Sequence, residues 1–162
     1  MQRVINLKEL YDKDFSMWAE INLELLKEKA YHLVDWENLL QEIEDMARSE
    51  LKSCVSHLAV ILEHLYKYEH LRHLTYGGQK GGYGWIKSIV NSRLAIRSIL
   101  RRNPSLKEKL PIELEGAWED AKDAIRAWLK LRGYKPEKFH LPERCPYTYE
   151  QAMEYEPWEA EL

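Results

Sequence analysis

The chain has 162 residues, 45% hydrophobic and 31% charged, with a formal net charge of −3. A chain of this length can bury a core of ordinary size, and seven Gly and six Pro are too few for a collagen-like or low-complexity sequence. No apolar run approaches the roughly 18 residues of a membrane span, the first residues carry no signal-peptide apolar segment, and the two cysteines lack CxxC spacing, so a cytoplasmic chain with no membrane partner is expected.

Apolar residues recur at steps of three and four and nowhere alternate in period two, which predicts an all-α fold. A first helix is expected over about 7–28, with Leu7, Tyr11, Phe15, Trp18 and Leu25 on one side. The longest, about 36–69, carries Trp36, Leu40, Ile43, Ala47, Leu51, Cys54, Leu58, Ile61 and Leu65 on one stripe. Asp35 stands before it as N-cap and Glu37 lies in its first turn. Residues 76–84 then hold five of the seven glycines. They have no Gly-Lys-Ser/Thr ending and read as a flexible connector, the alternative being a lid that carries Lys80 over a ligand.

A third helix, about 85–102, stops at Asn103-Pro104, and Ser105-Leu-Lys-Glu108 reads as a capping box. A fourth, about 111–132, carries Leu114, Trp118, Ala121, Ile125 and Trp128 and ends at Gly133. The tail, 134–162, contains four prolines and reads as irregular chain with one short helix opened by the capping box Thr148–Gln151. Four amphipathic helices joined by short connections predict an antiparallel bundle and one domain over 1–162.

Charge is divided unevenly. Residues 1–70 hold eight basic and fourteen acidic residues, 71–110 nine and one, and 111–162 seven and twelve. The basic third helix is read as packing between acidic neighbours; the alternative, a nucleic-acid surface of Lys87, Arg97, Arg101 and Arg102, lacks interleaved aromatics and a basic overall pI. Helical phase places Glu50, His57 and His64 on the stripe of the long helix, and Arg93 and Arg97 with Ile86, Val90 and Leu100 on the third. If the two helices pair around the connector, Arg93 falls near His57, and Glu50 near Arg97 or Arg101. A partly buried cluster of Glu50, His57, His64, Arg93 and Arg97, with Glu50 bonded to Arg97 or Arg101, is therefore expected.

That cluster reads first as a network fixing helix register. The alternative is a metal-dependent bundle enzyme using His64 with Glu50 or His57, although Glu-x-x-His is absent and two turns separate the histidines. His64, His70 and His73 crowd the end of the long helix as a further set of metal candidates, but phase scatters them. Cys54 reads as a buried small hydrophobe, and Cys145, beside Arg144, as a thiol whose pKa a cation lowers. No cofactor is expected beyond such a metal.

Asp35-Trp-Glu-Asn-Leu-Leu-Gln-Glu-Ile-Glu-Asp-Met-Ala-Arg-Ser-Glu50 resembles the opening of the long helix in a bacterial, cyanobacteria-rich family catalogued as domain of unknown function 29. Asp14-Phe15 with Trp18, His64-Leu65 with Lys67, Trp85 with Arg93, Asn103-Pro-Ser-Leu106, Glu119-Asp-Ala121 and Cys145-Pro-Tyr-Thr148 continue the resemblance. It implies a compact helical bundle with Glu42, Arg48, Glu50, His64 and Arg93 at motif positions, and it transfers no activity, cofactor or partner. The glycine-rich connector is longer than the family's usual one.

The function expected is a helical module acting by protein–protein contact, in a homodimer or with another protein. Trp158, Tyr147 and Tyr155 of the tail would anchor either that partner or the chain's own bundle. Low Thr beside abundant Glu, Lys and Arg points to a thermophilic source.

Overall fold

A computed structural model describes residues 6–161, so the outermost ends of the expected 1–162 domain lie outside the described residues. The described chain is helical, without a strand, and no helix in it is long and apolar enough to cross a membrane. The helices are α1 (Leu7–Lys13), α2 (Phe15–Lys27), α3 (Trp36–His70), α4 (Tyr83–Arg102), α5 (Leu106–Lys109), α6 (Leu114–Leu131) and α7 (Tyr149–Glu154), with short 3-10 turns between several of them.

Several boundaries differ from those expected. The helix predicted over 7–28 is two, because Asp14 leaves helical geometry and its carboxylate accepts the Met17 N–H, capping α2. The box at Ser105 does not form. Ser105 is itself helical, and the Asn103 and Pro104 carbonyls accept the first N–H groups of the turn instead. Pro111 tightens the next turn into the 3-10 segment Leu110–Glu113, so α6 starts at Leu114. Its end is the expected one: Gly133 adopts φ 86° and the Tyr134 N–H donates back to the Leu129 carbonyl. The Thr148–Gln151 capping box is present in both directions.

The connector is ordered by its glycines. Gly82 opens α4 at φ 98°, and a Cβ there would stand 3.0 Å from the Tyr68 ring. A Cβ on Gly81 would lie 2.3 Å from the Thr75 hydroxyl. Lys80 is exposed at the end of a 3-10 turn.

Within the span expected as one domain, the residues described divide into two compact units, through Ser49 and from Glu50. Helix α3 contributes to both, and so its periodicity carries no sign of the boundary. In unit 2 one continuous core joins Cys54, Leu58, Ile61 and Leu65 of α3 to Ile89 and Ile96 of α4 and Trp118 and Ile125 of α6. Tyr147, Ala152 and Met153 of the tail close it. Unit 1 buries little: Trp18 and Val34, with the polar Asn22 and Asp35.

Candidate functional site

Two arginines of α4, Arg93 and Arg97, are committed to the tail. Arg93, 3% exposed, donates from Nε to the Ala152 carbonyl (2.9 Å) and from one terminal nitrogen to those of Tyr155 (2.7 Å) and Gln151 (3.3 Å). The Ala152 carbonyl belongs to the last turn of α7, Tyr155 is the C-cap, and the Gln151 carbonyl also accepts the Tyr155 N–H, so the guanidinium sits at the negative end of the helix dipole. Burial pushes the Arg93 guanidinium downward in pKa, with nearby Glu156 opposing. Arg97 adds bonds to the Met153 carbonyl and the Glu154 carboxylate. From the other side, Tyr147 and Tyr155 both donate their hydroxyls to Glu69 of α3, at 2.6 and 2.7 Å. The tail aromatics thus engage their own chain; Trp158, too, packs edge-on against Tyr68.

The expected bond from Glu50 to Arg97 or Arg101 is not made. Glu50 accepts from the Asn103 amide (3.3 Å) and faces Arg102 (3.8 Å), which shifts the register one to two residues further along α4, while α7 draws Arg97 away. His57 is half-buried, and no hydrogen bond or ion pair links it to Arg93 among the described residues. His64 bonds through Nδ1 to the Val60 carbonyl at 2.7 Å, and burial lowers its pKa against the pull of Glu63. His70 lies against the Tyr66 ring and His73 is exposed, so the three histidines expected to crowd one end do not converge. No group of three His, Cys, Asp or Glu among the described residues is placed to hold a metal ion. Cys145 also departs from expectation: burial raises its thiol pKa, and its backbone N–H donates to Glu115.

Unit 1 is pinned by a buried polar chain. The Trp18 indole donates to Asp35 (2.9 Å), Asn38 donates to the same oxygen (2.8 Å), and the Asp35 N–H donates to Asn22 (2.9 Å). Burial alone would raise the Asp35 carboxyl; these donors outweigh it and hold the group below its ordinary range. Tyr11 meets Trp18 edge-on, lies tilted against Phe15 and donates its hydroxyl to Glu42, which pushes the phenol up to about 12. Asp35 therefore holds α2, and Glu42 with Glu37 holds α1, on one flank of α3.

A family model described as Domain of unknown function DUF29 matches residues 10–158. The chain belongs to the DUF29 family. Comparison with curated proteins and with solved structures finds no match. Of the residues that the family resemblance implies at motif positions, Glu42 serves unit 1, Glu50, His64 and Arg93 serve unit 2, and Arg48 is exposed.

Sequence reasoning did not foresee a charge in this DUF29 chain that is as deeply enclosed as Arg93. Lys67, 3% exposed, bonds to Glu63 at 3.0 Å and sits 4.9 Å from the Trp85 ring and 4.6 Å from the Trp128 ring. Burial lowers its pKa while Glu63 opposes the shift. Arg132 shares Trp128 from 5.6 Å and donates to the Leu74 carbonyl. The four-residue spacing of Glu63 and Lys67 was legible as an ion pair; its enclosure between tryptophans from two other helices was not.

Unit 1 also leaves large apolar side chains in solvent. Trp36 is 44% exposed, Leu40 56% and Ile43 51%, and Ala47 continues the same stripe. Met46, Phe15 and Leu23 are also exposed in unit 1. The stripe that is dry from Cys54 onward is therefore wet before Leu51.

Proposed function

We propose that this DUF29 chain is a protein–protein interaction module of the cytoplasm that self-associates through the apolar face of unit 1. The observation that carries the reading is the exposed row Trp36, Leu40 and Ile43, at the i, i+4, i+7 spacing of a packing surface. Scattered exposed apolar residues are ordinary on a protein; an aligned row at a helix face is typical of a contact surface. Three of the polar residues singled out by helical phase support the same reading by elimination: Arg93 and Arg97 bond the tail and Glu50 bonds Asn103 at the end of α4, while His64 bonds within its own helix. In this reading the helices of unit 2 form an antiparallel bundle that serves as scaffold.

Sedimentation velocity over a hundredfold concentration range tests the proposal. The wild-type chain is expected to shift from monomer to a larger species, and L40E/I43E to remain monomeric with unchanged helical circular dichroism. A wild-type monomer at every concentration would refute it.

A further inference from the structure

We infer that the surface receiving the unit 1 face is the outer face of α4 on a second copy of the chain, an inference that rests on the self-association proposed above. Helix α4 turns Ile89, Arg93 and Ile96 inward and leaves a second stripe in solvent. On that stripe lie Tyr83, Lys87, Val90 (39% exposed), Leu94 (56% exposed) and Arg101, all within about 60° of one another by helical phase. None of them belongs to the core of unit 2.

Two properties match this stripe to the one on unit 1. The first is pitch. Trp36, Leu40, Ile43 and Ala47 follow the steps i, i+4, i+7, i+11, and so do Tyr83, Lys87, Val90 and Leu94. Ridges of equal step can interdigitate along two helices. The second is charge. Through Ser49 the chain has eleven acidic and six basic residues, a net −5, and exposed Glu44 borders the apolar row. The segment 71–110 is +8, and Lys87 and Arg101 lie within the α4 stripe.

Two unit 1 faces brought together would bury the same apolar atoms but oppose two segments of like net charge. The α4 face offers the same apolar pitch with the opposite sign, which steers encounter and selects the pairing. The contact is heterologous, each copy carrying both halves.

Complementation between two defective copies tests this. L40E/I43E lacks the unit 1 face and V90E/L94E lacks the α4 face, and all four positions are exposed, so neither pair introduces a buried charge. Each variant alone is expected to sediment as a monomer with wild-type helical content, and an equimolar mixture to form a larger species that dissociates as salt is raised. K87E/R101E, which keeps every apolar residue, is expected to weaken wild-type-like association at least tenfold. If V90E/L94E or K87E/R101E self-associates as well as wild type, or the mixture stays monomeric, α4 is not the receiving face although self-association stands. If the wild-type chain does not associate at all, the underlying reading fails, and this inference with it.

Discussion

Units 1 and 2 use one helix in opposite ways. In unit 2 the stripe of α3 is fully dry, because α4, α6 and the tail close over Cys54, Leu58, Ile61 and Leu65. In unit 1, α1 and α2 hold a different flank of α3 through Trp18, Asp35 and Glu42, and the stripe itself is left in water. Stability and surface chemistry are thereby separated along a single rod. One region is held by apolar burial, and the other by a short chain of directional hydrogen bonds beside an uncovered apolar row. Periodicity reports which side of a helix is apolar; it does not report what covers that side.

The sharpest way to break this comparison is to truncate one tryptophan in each region. Trp118 is fully buried and its indole donates to the Pro142 carbonyl at 2.9 Å. W118A is expected to cost about 3–5 kcal/mol in denaturant unfolding, the usual range for a large aromatic removed from a core. W36A, at the exposed end of α3, where the indole donates to the Tyr31 carbonyl at 2.7 Å, is expected to cost only about 1 kcal/mol, the net worth of that bond. Similar losses for the two would mean that the stripe is covered in both regions.

Arg93 comes next. Removing the guanidinium leaves the carbonyls of Gln151, Ala152 and Tyr155 without that donor at the end of α7. R93M is expected to destabilise by about 2–4 kcal/mol and to open the tail to limited proteolysis ahead of global unfolding. R93K should not restore the wild-type value, since an ammonium cannot reproduce the planar fork that reaches several carbonyls at once. Full rescue by lysine would show that charge alone holds the tail.

The same residue shows how far the sequence could be read. Its position off the polar face of α4 was visible, and a buried role followed. Its partners were not visible, because they are backbone carbonyls some 60 residues away, and a carbonyl has no residue-type signal. The Glu50 contact was read in nearly the right place, but helix-pair register depends on how the connector is folded, and that is fixed by the Gly82 turn against Tyr68. The capping box at Thr148 was legible because both of its partners are local. Ser105 presented the same local pattern, yet it is itself helical, and the Asn103 and Pro104 carbonyls take the Leu106 and Lys107 N–H groups.

Unit 1 sharpens the contrast through acid sensitivity. W18F removes one donor to the buried Asp35 carboxylate, and about 1–2 kcal/mol of stability is expected to go with it. Because the folded carboxyl sits below its ordinary 3.8, its contribution is present above that pH and lost as pH falls through the lower folded value. The wild-type minus W18F difference in unfolding free energy should therefore be steady from neutral pH down to about 4 and shrink below it. A difference that persists unchanged at pH 2 would show that Asp35 is not the acceptor that matters.

The smallest effect is expected where unit 2 is polar rather than dry. Tyr155 donates to Glu69 from a half-buried position, and Tyr147 keeps its own bond to the same carboxylate when Tyr155 is lost. Y155F should cost about 0.5–1 kcal/mol at neutral pH, the net worth of one such bond. The bond to Glu69 favours the neutral phenol and pushes its pKa up to about 12, above the ordinary 10. The folded state then holds this proton more tightly than the unfolded chain does. The contribution is complete below pH 10 and disappears as pH rises towards 12. Urea midpoints of wild type and Y155F should accordingly converge over that interval, while Y147F, which removes the buried partner of the pair, should lower the midpoint further at pH 7. Equal midpoints for the two variants at pH 7 would assign the clasp to Glu69 and α3 packing rather than to the burial of one phenol.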